Sequence, residues 1–230
     1  MIGYTIHASD GELGKVQDFY FDDASWIIRY MVVETGNWLS GRKVLISLAA
    51  FGKPDVAAGL FSVNLTCEQV KNSPDIDTQK PVFRQHELKL HEYYQWPLYW
   101  NGGKGGILGA TPYPVLKAAD PKDSLEEPEK KDDPQLRSTR HMANYHIHAT
   151  DGEIGYVEDF IFDEANWTLS YLIVDTSSWF IGKMVLVPRA WIKSIVWIEA
   201  RVHIDRVREA VKKCLVYDPL NTEYPHNESA

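Results

Sequence analysis

Two stretches of this chain alternate apolar and polar residues in short runs broken by turn residues, which is the pattern of strands joined by tight turns. In the first stretch, residues 4–8 read as a strand and Asp10-Gly11 as a hairpin turn of the kind that needs positive φ. Residues 15–21 follow as a second strand, with Gly14 at a bulge or a close backbone approach. Asp22-Asp23 make the next turn, and residues 26–34, rich in aromatic and β-branched side chains, form a long third strand. A loop then runs from Gly36 through Trp38 to Gly41. Residues 43–47 make a fourth strand, and residues 60–65 another, with Phe61, Val63 and Leu65 on one face. Thr66-x-x-Gln69 is a capping box for a short helix, with Asn64 as an alternative cap.

The second stretch repeats the first. Segments beginning at Tyr4 and Tyr145, an offset of 141, align without a gap over 44 positions, of which 22 are identical. The register persists further: Glu68, Val70 and Lys71 match Glu209, Val211 and Lys212. In the second copy Asp205 replaces Asn64, and residues 206–214 become the expected helix. Such a register marks a duplicated module rather than chance similarity. The organisation expected is a first module over residues 1–78, a linker over 79–135, a second module over 136–218 and a tail over 219–230.

Between the copies, residues 83–94 have helical spacing, with Phe83, Leu90, Tyr93 and Tyr94 near one face, and Pro97 beyond the end. A glycine-rich run follows Trp100, and residues 112–134 combine prolines with charges, the composition of an extended, mobile linker.

Composition narrows the functional classes. The chain has 230 residues, 44% hydrophobic and 24% charged, as in ordinary globular proteins. No apolar run is long enough for a membrane-spanning helix, and the start lacks the features of a signal peptide. The two cysteines fall at non-equivalent positions, so no disulfide is expected, and a cytoplasmic location follows. Net charge is −8, and no segment is basic: residues 1–78 hold 6 basic and 10 acidic groups, and residues 137–218 hold 10 and 11. That balance argues against nucleic acid as the partner.

The pattern Asp10-Gly-Glu-x-Gly14-x-Val16-x-Asp18, then Asp22, Trp26, Tyr30 and Val33, recurs from Asp151 to Val174 and resembles the PRC-barrel family. The segments Trp38-Leu-Ser-Gly-Arg-Lys-Val44 and Leu136-Arg-Ser-Thr-Arg140 are similar to its tandem, soluble bacterial branch. The resemblance implies an all-β fold with minor α: two small antiparallel β-barrels in tandem, each followed by a short helix. The family includes the cytoplasmic domain of the photosynthetic reaction centre H subunit and the C-terminal domain of a ribosome maturation factor. It implies docking onto other macromolecules and carries no shared catalytic set. The expected function is therefore a non-catalytic protein-interaction or assembly module. The alternatives are an RNA- or ribosome-associated processing factor, and an H-subunit-like component of a photosynthetic electron-transfer complex at a membrane. The partner is expected to be a protein, with packing between the two barrels and homodimer formation as further expectations. The first copy also lacks a counterpart of the segment 136–140, because Met1 already matches Met142.

Few residues suggest chemistry. His146-x-His148 places two imidazoles on one strand face beside Asp151 and Glu153, which makes His146 and His148 candidate metal ligands. The first copy has Thr5-x-His7, so rim polar residues are the plainer account, and no metal or cofactor is assigned. The repeated carboxylates Asp10, Glu12 and Asp18 lack the spacing of a calcium loop, and turn chemistry accounts for Asp10 and Asp151. No nucleophile elbow, Walker loop or dinucleotide fingerprint occurs. The interaction candidates are aromatic: Trp38 and Trp179 in equivalent loops, and Tyr93, Tyr94, Trp96 and Trp100 in and after the linker helix. Where the copies differ, function should concentrate: residues 82–100, His146 and the stretch 189–201.

Overall fold

The computed structural model describes residues 1–74, 84–99, 136–177, 182–219, 221 and 224. The chain divides into two compact units, Met1–Arg137 and Ser138–Ala230.

The first unit is built on β1 (Thr5–Ala8), β2 (Gly11–Asp22), β3 (Ile28–Thr35), β4 (Lys43–Ser47), β5 (Phe51–Asp55) and β6 (Leu60–Val63). α1 (Cys67–Lys71) and α2 (Arg84–Tyr94) follow, and β7 (Leu136–Ser138) pairs with β2. The second unit opens with α3 (Thr139–Met142) and repeats the plan. It has β8 (His146–Ala149), β9 (Gly152–Asp163), β10 (Thr168–Asp175), β11 (Met184–Pro188), β12 (Ile192–Val196), β13 (Arg201–Ile204) and α4 (Arg208–Val211).

Both sheets have one order, β4-β3-β2-β1-β6-β5 and β11-β10-β9-β8-β13-β12. Two features differ from the closed antiparallel barrel expected from the sequence. Each sheet is an open path among the described residues, and each contains one parallel pair, β1 with β6 and β8 with β13. The cause is local. A 3-10 turn at Leu48–Ala50 carries the chain from β4 into β5 without reversing it, so the β5–β6 hairpin returns β6 parallel to β1. The turn Arg189–Trp191 does the same in the second unit.

The strands bury one face as the core. Met31 pairs with Ile46 and Val33 with Val44 across β3 and β4, and all four are buried. The opposite face of the first unit is buried as well, which is why β3 reads as a near-continuous apolar run. There Tyr20, Tyr30, Val32 and Leu45 cluster with Leu90 of α2 and with Leu136, and Tyr94, Trp96 and Tyr99 pack on them. In the second unit the equivalent residues Ile161, Tyr171, Ile173 and Leu186 are met by Tyr217 and Tyr224. The same face is thus covered by a helix and its aromatic tail in one unit, and by the chain after α4 in the other.

Leu136 and Arg137 belong to the first unit, where Arg137 Nε meets Asp23 Oδ2 at 3.0 Å. The first two residues of the lead-in that the sequence assigned to the second copy therefore serve the first, while Ser138 caps α3 of the second.

Candidate functional site

The residues common to both copies hold the fold. The Asp10-Gly11 turn has no positive φ, whereas Gly152 after Asp151 does, at 142°. The Asp10 and Asp151 carboxylates accept the first amide of the following helix, from Cys67 at 2.7 Å and Arg208 at 2.8 Å. Those bonds hold Asp10 below the ordinary carboxylate pKa. Thr35 Oγ1 donates to the Arg42 carbonyl and Thr176 Oγ1 to that of Lys183, each at 2.7 Å, closing the two equivalent loops. Trp26 and Trp167 adopt positive φ, 61° and 58°, and each turns inward onto a phenylalanine, Phe21 or Phe162. The capping box at Thr66 forms as the sequence indicates.

The linker helix carries a polar site that its apolar periodicity conceals. Residues 87, 90, 91 and 94 make one face of α2, and two of them, Glu87 and His91, are buried polar groups. Tyr30 of β3 donates to Glu87 Oε2 at 3.0 Å and meets His91 Nε2 at 2.7 Å. Tyr99 donates to the same Glu87 oxygen at 2.6 Å. Arg29, also buried, stacks its guanidinium 4.2 Å from the Tyr99 ring centre. Burial lowers the Arg29 pKa, while Tyr99, Asp22, Glu87 and Tyr30 push it back up.

Of the aromatic candidates here, Tyr94 stacks on Trp96 at 4.2 Å and both cover the sheet. Tyr93 is exposed and donates to the Gln69 carbonyl at 3.0 Å. Trp100 lies outside the described residues, as does Trp179. Trp38 is 40% exposed on a 3-10 turn, with its indole N–H donating to the Leu13 carbonyl at 2.9 Å. It is a ring fixed at one edge and open to solvent at the other.

The most exposed large apolar side chain among the described residues falls in the divergent stretch 189–201. Ile198 is 100% exposed at the tip of the β12–β13 hairpin. The tip is braced. Tyr145 donates to the Trp197 carbonyl at 3.3 Å, their rings meet edge-on at 6.0 Å, and Glu199 pairs with Arg201 at 2.8 Å. Ala200 takes the left-handed conformation, φ 51°, that Gly59 takes in the first unit, φ 64°. Ala57 stands where Ile198 does, so the apolar side chain exposed on the first hairpin's turn is the smaller, half-exposed Val56.

On the outer face beside that hairpin, His146 meets Glu153 Oε1 through Nδ1 at 2.7 Å. His148 lies opposite His203 of β13, with ring centres 5.5 Å apart. His203 could not be found from the sequence, because 55 residues separate it from His148 and only the parallel pairing joins them. Among the described residues no three His, Cys, Asp or Glu side chains converge closely enough, as placed, to hold a metal ion. His148 is shifted below the free-imidazole pKa by burial, and by Arg201, His203 and His146, against the opposing effect of Glu153. An NMR titration is expected to show His148 taking up its proton below pH 6.5, the ordinary value. The unfolded chain then binds more protons in that window, so His148 makes stability fall as pH drops through it. A midpoint at or above the ordinary value contradicts this placement.

Residues 1–59 match the family model of the PRC-barrel domain. Over that stretch the first unit is similar to a PRC-barrel domain. Over 106 residues it is 27% identical to an uncharacterized protein of Deinococcus radiodurans, covering 41% of this chain and 38% of that protein. The chain therefore spans well under half the length of this relative. The PRC-barrel match falls on β1 to β5, and the 22 identities carry the same module into the second unit. Neither cysteine of the chain is poised as a nucleophile. Burial and the neighbouring Asp10 raise the Cys67 pKa, and burial pushes the Cys214 thiol up to about 11. No helix among the described residues is long and apolar enough to cross a membrane.

Proposed function

We propose that this PRC-barrel protein is a non-catalytic, cytoplasmic interaction or assembly module whose partner is another protein. The observation that carries the reading is Ile198, a fully exposed isoleucine on a braced hairpin tip. Burying such a side chain contributes roughly 1.5–3 kcal/mol, and a tip already fixed loses little conformational freedom on binding. Trp38 offers a second fixed, half-open apolar surface on the first unit. The residues repeated in both PRC-type modules are engaged in caps, loop closures and core packing, which leaves the differing positions for recognition.

The test is capture by the immobilised full chain from native extract, washed with increasing salt. Docking through an apolar tip is expected to leave retention within about twofold between 50 and 500 mM salt, since apolar contacts are not screened. Retention of RNA, lost steeply as salt rises, would overturn the proposal.

A further inference from the structure

We infer that docking of α2 takes up one proton, held along Glu87, Tyr30 and His91, so that the helix leaves the sheet of the first unit as pH rises above neutral.

Three contacts in this cluster compete for protons. Tyr30 Oη lies 3.0 Å from Glu87 Oε2 and 2.7 Å from His91 Nε2, and His91 Nδ1 lies 3.3 Å from the Trp96 carbonyl oxygen. Each needs one proton between its two atoms. An ionised Glu87 and a neutral His91 leave two, one on the Tyr30 hydroxyl and one on the ring. If the ring proton faces Trp96, the single Tyr30 proton must choose between Glu87 and His91. If it faces Tyr30, Nδ1 and the Trp96 carbonyl meet as two acceptors. Glu87 and His91 are 2% and 3% exposed, so bulk water does not relieve the conflict, and a buried acceptor left without a donor costs stability. A third proton satisfies all three contacts. On His91 it makes an imidazolium that donates from both nitrogens while Tyr30 donates to the carboxylate. On Glu87 it gives the reversed arrangement, with the carboxyl donating to Tyr30 and Tyr30 to His91. Tyr99 brings its own proton to Glu87 at 2.6 Å and leaves the count unchanged.

The titratable and charged groups packed around the pair, among the described residues, are Arg29 of β3, Tyr20 and Asp22 of β2, Tyr94 of α2 itself and Tyr99 after it. Arg29 opposes a cation on His91, whereas the carboxylates of Glu87 and Asp22 favour one. β4 and β7 bring Leu45 and Leu136 to the cluster. Released from the sheet, Glu87 and His91 titrate near their ordinary values, about 4.3 and about 6.5. Above about 6.5 the docked pair holds one proton and the released pair none, so docking weakens as pH rises. Between the two values both states hold one, and docking is level. Below about 4.3 the released pair holds two, so docking weakens again as pH falls. Release uncovers the face of Tyr20, Val32 and Leu45, so the proton governs whether that apolar face is open.

The experiment is hydrogen exchange of the full chain, with amide protection over residues 84–94 taken relative to an unstructured chain at the same pH. Protection is expected to fall at least threefold per pH unit between about pH 6.5 and about pH 8.5, the full slope for one proton being about tenfold. Amides of β10 in the second unit, where Tyr217 and Tyr224 cover the equivalent face, are expected to stay level. His91→Gln, which can donate but does not titrate, is expected to level the profile, and Tyr30→Phe, which removes the shared oxygen, to flatten it. A merely structural role for either side chain would lower protection equally at every pH. A wild-type slope below threefold overturns the proposal, as does an equal slope in β10 or an unchanged slope in either variant. Where a variant does not dock at any pH, NMR of the wild-type ring nitrogens and carboxyl near pH 7 decides. An imidazolium at His91 or a protonated Glu87 is expected there, and a neutral ring beside an ionised carboxylate overturns the proposal.

Discussion

Alanine at Gly14 is expected to unfold the first unit, and alanine at Gly155 the second. Gly14 has φ +149°, and a Cβ there would lie 2.0 Å from the Glu34 carbonyl oxygen and 2.9 Å from Thr35 Cα. The contact is with backbone, on the strand that pairs with Gly14 itself, so no side-chain rotation relieves it. Gly155 has φ +148° and its added Cβ would fall 1.8 Å from the Asp175 oxygen. A conformation nearly restricted to glycine costs about 1–3 kcal/mol, and overpacking adds about 1–3. The sum approaches the total stability of a small domain, about 5 kcal/mol at the low end. Gly11→Ala is the control, because its Cβ would meet only Cys67 Sγ, at an ordinary 3.6 Å. Urea unfolding should show a large loss for Gly14→Ala and a change under about 1 kcal/mol for Gly11→Ala. Equal, small effects at both positions would contradict the close-approach reading.

Glu87→Ala is expected to release α2 from the sheet at a cost of about 3–5 kcal/mol, the range for removing one partner of a buried charged network. The variant removes the carboxylate to which the Tyr30 and Tyr99 hydroxyls both donate, and leaves Tyr30 its contact with His91. It also removes one of the negative charges that, with Asp22, offset the burial of Arg29. Glu87→Gln keeps an acceptor but no charge, so it should fall between wild type and alanine. Tyr30→Phe should cost about 1–2 kcal/mol, since it removes one hydroxyl and leaves the carboxylate its bond from Tyr99. Hydrogen exchange over residues 84–94 reads the undocking directly. Protection unchanged in Glu87→Ala would show that apolar contacts at Leu90 and Tyr94 hold the helix by themselves.

These two sites also show what the sequence makes legible. Gly14 is readable because a glycine at one place in two aligned strands signals a backbone constraint, and the Thr66 capping box is readable because both its members lie within one turn. Glu87 is not, because an amphipathic stripe is recognised by its apolar members, and here half of the buried face of α2 is polar. The parallel pairing of β1 with β6 escapes for a different reason. It depends on a 3-10 turn that fails to reverse the chain, and turn residues alone do not declare direction. Turn chemistry predicts a local role for Asp10, whereas its partner is an amide 57 residues away. His203 was invisible on the same ground, since long-range register is a property of the folded sheet.

The duplication itself divides the molecule. Caps, loop closures and close approaches recur at the same offset, whereas among the described residues the α2 network and the paired histidines each occur in one unit, and a fully exposed isoleucine tips the second hairpin alone. If recognition resides in what is not shared, equivalent substitutions in the two hairpins must act differently. The direct measurement is quantitative capture of the protein partner by wild type, Ile198→Asp and Ala57→Asp, all checked for unchanged melting. Capture is expected to fall at least tenfold for Ile198→Asp and to stay at the wild-type level for Ala57→Asp. Undiminished capture by Ile198→Asp, or an equal loss in Ala57→Asp, would contradict it.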